Sequence, residues 1–80
     1  MSLIDGVEER VKQVLADILD VKSTSIDEST AMDTVDTWDS LTHINLCLAL
    51  EQEFQVTFEV KEIEAMLSYP DVLEVLLHKI

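Results

Sequence analysis

Glycine, proline and cysteine each occur once in this 80-residue chain, as Gly6, Pro70 and Cys47. Each scarcity excludes something. A chain with so few backbone breakers is not a turn-rich β-fold. Alternation of apolar and polar residues is also scarce, and the apolar positions recur at helical spacing instead. A lone cysteine rules out a disulfide within the chain and fits a reducing, cytoplasmic setting. Bases are few as well, with five Lys and Arg against seventeen Asp and Glu, for a net charge of -12. Nucleic acid and anionic lipid are thereby disfavoured as partners, since both call for positive charge on the protein. Basic protein surfaces are the natural complement of such a field, which speeds association more than it tightens it. No apolar run approaches the ~20 residues that span a bilayer. The start, Met1-Ser2-Leu3-Ile4-Asp5, lacks the basic segment and apolar run of a signal peptide.

What is present reads as one small domain, residues 1–80, with a single core and a stability on the order of 5 kcal/mol or less. Leu3, Ile4, Val7, Val11, Val14, Leu15, Ile18 and Leu19 make one continuous face of a first helix over about 3–20, with Ser2 and Asp5 spaced as a capping pair. Residues 21–39 form a long connection with the polar clusters Ser23-Thr24-Ser25 and Asp27-Glu28-Ser29-Thr30. Long loops of this kind are often functional. Ile26, Met32, Val35 and Trp38 are expected to peg it to the core, with room for a short turn of helix inside it. A second helix is expected over about 40–55, an extended stretch through Gln55-Val56-Thr57-Phe58, and a short helix over about 60–67 with Val60, Ile63, Met66 and Leu67 inward. Ser68, Pro70 and Asp71 then form a start signal for a last helix that runs to about Lys79 and buries Val72, Leu73, Leu76, Leu77 and Ile80. The sum is an all-α four-helix bundle, three main helices plus a short third, with an unusually long first connection.

The second helix carries the chemistry. It opens Trp38-Asp39-Ser40-Leu41 and closes Leu50-Glu51-Gln52-Glu53-Phe54. A serine at a helix start is exposed and conformationally fixed, where unpaired N–H groups and the positive end of the helix dipole favour an attached anion. That suits a phosphate-linked group, and the scarcity of other reactive residues makes Ser40 a better attachment point than catalyst. The helix also has two apolar stripes where a surface helix needs one. Leu46, Leu50 and Phe54, with His43 and Cys47 near them, form a core face. Leu41, Ile44 and Leu48 lie nearly opposite. Leu41 and Leu48 are expected to be exposed to a partner, while Ile44 either packs beneath the long loop or joins them.

The run from Asp39-Ser40-Leu41 to Leu50-Glu51-Gln52-Glu53-Phe54, in an acidic chain of this size and helix order, resembles the signature of acyl carrier proteins. The resemblance covers nearly the whole chain and implies a bundle of acyl-carrier type. It implies that Ser40, flanked by Asp39 and Leu41, receives a 4′-phosphopantetheine arm from coenzyme A through a phosphopantetheinyl transferase. The arm ends in a thiol that carries acyl groups as thioesters to successive enzymes, and the protein itself catalyses nothing. Leu41, Ile44, Leu48, Glu51 and Glu53 would then meet acyl-transferring and acyl-processing enzymes with basic docking surfaces. Well-known fatty-acid carriers have acids at the positions of Thr42 and Asn45, a methionine at that of Leu48 and often a small residue at that of Trp38. The cargo therefore stays open between a fatty acyl chain, a specialised acyl or polyketide unit and an amino acid or peptide. The chain reads as a free-standing, monomeric carrier. The competing class is an acidic helical interaction module with no prosthetic group.

Other reactive residues have plainer readings. His43 and His78 lack the partners of a catalytic triad. Cys47 reads as a small buried hydrophobe rather than a nucleophile. Asp33, Asp36 and Asp39 lack the ligand spacing and glycine of a calcium loop, so no dedicated metal site is expected. Trp38 reads as a loop anchor.

Overall fold

The computed structural model describes residues 3–80, with side chains from Gly6 onward. The expected Ser2–Asp5 cap, and the side chains of Leu3 and Ile4, lie outside the described residues. The four helices are α1 (Leu3–Leu19), α2 (Ser40–Phe54), α3 (Val60–Ala65) and α4 (Tyr69–Leu77), with a turn of 3₁₀-helix at Ser23–Ser25 inside the long loop. This is the all-α bundle that the apolar spacing requires. None of the described helices is long and apolar enough to cross a membrane.

Helix α1 packs on both α2 and α4. Val7, Val11, Leu15 and Leu19 recur every fourth residue, which puts them on one stripe, and all are buried. They meet Leu46, Leu50 and Phe54 of α2 and Val72 and Leu76 of α4 in one core. Burying each such side chain contributes about 1.5–3 kcal/mol, which is how so short a chain holds together. Arg10 of α1 adds a bond across to α2. Its guanidinium donates to the Glu53 carboxylate at 2.9 Å and lies 4.5 Å over the Phe54 ring.

The long loop is pinned. Ile26 and Trp38 are buried, and Met32 and Val35 are half-buried against the core. Its polar residues close turns on themselves: the Asp27 carboxylate accepts from the Ser29 N–H at 2.8 Å, and Thr34 Oγ1 accepts from the Ala31 N–H at 3.0 Å. One bridge ties the loop to the start of α4, with Met32 N–H donating to the Leu67 carbonyl (3.0 Å) and Tyr69 N–H to the Thr30 carbonyl (2.9 Å). Just before α2, the Thr37 hydroxyl donates to the Leu19 carbonyl at 2.7 Å and closes the loop onto the end of α1.

Four expectations need correction. Helices α1 and α2 each stop one residue early, because Asp20 (φ 58) and Gln55 (φ 56) turn left-handed and end them. Helix α3 ends at Ala65: Met66 leaves the helical conformation (φ -85, ψ 72), and the bridge to the loop then takes the Leu67 carbonyl and the Tyr69 N–H. Only Met66 of the four apolar residues expected inward there is fully buried; Ile63 is half-buried, and Val60 and Leu67 face solvent. Leu73 is half-buried, and Leu77 and Ile80 are exposed, because α4 ends at Leu77 and its last turn passes the edge of the core.

Candidate functional site

Ser40 is the first residue of α2, and it is exposed. Its position is over-determined by its neighbours. Asp39 is the N-cap: its carboxylate accepts from the Thr42 N–H at 2.8 Å, and its carbonyl accepts from the His43 N–H at 2.8 Å. The Thr42 N–H, by stabilising the charged form, holds the Asp39 carboxyl below the usual carboxylate range. The Thr42 N–H is thus spent on the cap and the His43 N–H on the first helical bond.

The second apolar stripe stands in water. Leu41 is 73% exposed, Ile44 49% and Leu48 53%. Ile44, open in the sequence reading, faces out with the other two. The first stripe does the opposite: His43, Leu46, Cys47, Leu50 and Phe54 are all buried. Ser40 therefore sits at the end of an apolar ridge two turns long.

Glu51 and Glu53, at the far end of α2, both hold bonds within the chain. Glu51 Oε2 accepts from the Phe58 N–H at 2.7 Å and fixes the extended stretch after the helix. Glu53 pairs with Arg10, whose guanidinium also reaches the Glu53 carbonyl. Among the described residues, no group of three or more His, Cys, Asp or Glu side chains is placed to hold a metal ion.

The buried side of α2 holds a link that residue spacing does not reveal. Trp38 Nε1–H donates to His43 Nδ1 at 3.0 Å, and the two rings stack with centroids 6.1 Å apart. His43 Nε2 lies 2.7 Å from the Ile63 carbonyl of α3. Since Nδ1 accepts, the proton of the neutral ring is on Nε2, where it donates to Ile63. His43 is a structural connector, and both of its nitrogens are committed. The Trp38–His43 half was within reach of the sequence, because the two flank the helix start. The Ile63 half was not, since any residue presents a backbone carbonyl. Cys47 lies beside them, its Sγ 3.8 Å from His43 Nε2. Burial, with a lesser push from the Glu51 charge, raises its thiol to about 11, so it stays protonated and unreactive near neutral pH.

An exposed serine at a capped helix start fits covalent attachment of a flexible phosphate-linked group. Comparison with known families agrees. Residues 9–78 match the family model described as phosphopantetheine attachment site, a span from the middle of α1 to the end of α4.

Proposed function

The chain belongs to the phosphopantetheine attachment-site family, and from that premise we propose that Ser40 is the point where its 4′-phosphopantetheine arm is attached. The observation that carries the assignment is the exposed Ser40 hydroxyl at the start of α2, followed by the ridge Leu41, Ile44 and Leu48. In the loading step Ser40 Oγ forms a bond to the pantetheine-bearing phosphorus of coenzyme A. The bond from that phosphorus to adenosine 3′,5′-bisphosphate breaks, and the serine proton leaves with the departing phosphate. The arm supplies a terminal thiol that carries acyl groups as thioesters. Asp39 and Leu41 flank the attachment point: Asp39 keeps the helix start closed, and Leu41 offers apolar surface beside it.

Residues 1–80 then act as one carrier domain that catalyses nothing itself. The cargo we propose is acyl, from fatty acid synthesis or a specialised acyl pathway, and the setting is cytoplasmic, in keeping with the free thiol of Cys47. The partners are a phosphopantetheinyl transferase and acyl-processing enzymes whose docking surfaces combine an apolar groove for Leu41, Ile44 and Leu48 with basic residues. Glu51 and Glu53 complete that surface. Glutamine at either position keeps an acceptor for the internal bond while removing the charge. E51Q and E53Q should therefore slow association with an acyl-processing partner and leave the melting curve nearly unchanged. Equal on-rates would remove both from the surface.

Mass spectrometry tests the central assignment. Incubation with coenzyme A, magnesium and a broad-specificity transferase should add one phosphopantetheine, and Ser40→Ala should add none. Loading of the S40A protein, or an unchanged mass with several competent transferases, would overturn it. Charging the loaded protein from parallel acyl and aminoacyl donors then separates an acyl from an aminoacyl carrier.

A further inference from the structure

We propose that His43 is a positioning residue for the modification of Ser40, acting through Trp38; this deepens the reading of Ser40 as the attachment point and rests on it. Ser40 lies between the two linked residues, two positions after Trp38 and three before His43. The segment Trp38-Asp39-Ser40 is held to the first turn of α2 at three places: the Asp39 carboxylate on Thr42 N–H, the Asp39 carbonyl on His43 N–H, and the indole N–H on His43 Nδ1. The first two are ordinary features of a helix start. The third joins two side chains, and of the three it alone fixes the incoming segment from inside the core, where both partners are buried.

The other ring nitrogen extends the link to α3. That helix has only six residues, too few to persist without tertiary support. Ile63 lies in its last turn, where its carbonyl accepts from the Met66 N–H at 3.4 Å, and His43 adds a second, shorter bond from outside the helix at 2.7 Å. A single neutral imidazole thus joins the loop before Ser40, α2 and α3. Nδ1 must accept and Nε2 must donate, so only one of the three protonation forms of the ring serves. Protonation puts an N–H at Nδ1 facing the indole N–H, and two donors cannot bond. The groups facing the ring are Trp38 from the loop, the Ile63 carbonyl from α3 and the Cys47 thiol from α2; no charged side chain among the described residues hydrogen-bonds to it. Loading efficiency is therefore tied to the neutral, Nε2-protonated ring.

The docking ridge lies on the opposite face of α2, so losing the link should lower the turnover of transfer more than it weakens transferase binding. The test compares the wild type with Trp38→Phe and His43→Leu as full-length transferase substrates. W38F removes the indole donor, keeps an aromatic ring and leaves His43 in place, so it stays informative if H43L fails to fold. Ring-nitrogen NMR of the wild type should show the Nε2–H tautomer and mark the pH interval in which His43 protonates. Above that interval kcat for W38F should be about tenfold below wild type with KM for the carrier little changed, since misplacing a reacting group costs turnover. Through the interval the ratio of the two kcat values should fall toward one, because the wild type then loses the same bond. Any pH dependence of the transferase itself cancels in that ratio. A wild type that loads normally beside an equally fast W38F, or a ratio flat across the interval, overturns the positioning role. A wild type that is not loaded at all overturns the attachment reading instead.

Discussion

Cys47 shows how placement sets reactivity. The helical wheel put it beside the core stripe, and the structure buries it against His43, with its thiol raised to about 11. The sign of the consequence follows from linkage. The folded thiol ionises later than the unfolded one, whose ordinary value is 9.0. Its contribution to stability is thus fully present below about 9 and is lost as pH rises through about 11. Denaturant melts at pH 8 to 11 should show stability declining, and Cys47→Ala should flatten the decline. Alkylation at pH 8 should be far slower in the folded than in the unfolded protein. His43 marks the limit of what residue types disclose. Its burial was legible from the same wheel, but its partners lie five and twenty residues away, and one of them is backbone.

At the scale of elements, starts were more legible than stops. Helix starts are written in side chains: Ser68 Oγ accepts from the Asp71 N–H at 3.2 Å, as the Ser-x-x-Asp spacing required. Replacing Ser68 by alanine should cost about 1 kcal/mol in chemical denaturation, the usual worth of such a cap. Stops are commonly written by glycine, and here the only glycine lies inside α1. Asp20 and Gln55 take left-handed backbone in its absence, which carries a steric cost for any side chain bearing a Cβ. Gln55→Gly should therefore stabilise the protein, by about 0.5–1 kcal/mol; an unchanged or lower midpoint would show that the Gln55 side-chain bond to the Gln52 carbonyl outweighs the strain. The early end of α3 was illegible for a different reason. It is followed by a backbone bridge to the loop, and Ala31 and Ser68 carry no side-chain signal for that pairing.

The whole molecule is governed by its charge. From Ser23 to Val60 there is no lysine or arginine. Four of the five bases are occupied within the chain: Arg10 on Glu53, Lys12 over Tyr69, Lys61 beside Glu59, and Lys79 between Glu62 and Phe58. The remaining carboxylates repel one another, so added salt or millimolar magnesium should raise the melting temperature. A flat response would mean that the charges are balanced locally. Acid acts in two directions. Protonating surplus carboxylates relieves repulsion, whereas Asp27, Asp39 and Glu62, all held low by hydrogen bonds, contribute stability that is present above their ordinary values of 3.8 to 4.5. That contribution is lost as pH falls through their still lower folded values. The melting temperature should accordingly rise from neutral into mildly acid solution and fall again below about pH 4.

The same surplus governs the ridge of Leu41, Ile44 and Leu48. Grease on the outside of a small molecule invites self-adhesion, and here mutual repulsion between copies is what holds them apart. Colloidal stability is therefore conditional. In concentrated salt, or near the isoelectric point of about 4.1, the barrier between copies thins and the uncovered leucines and isoleucine become a seam for clumping.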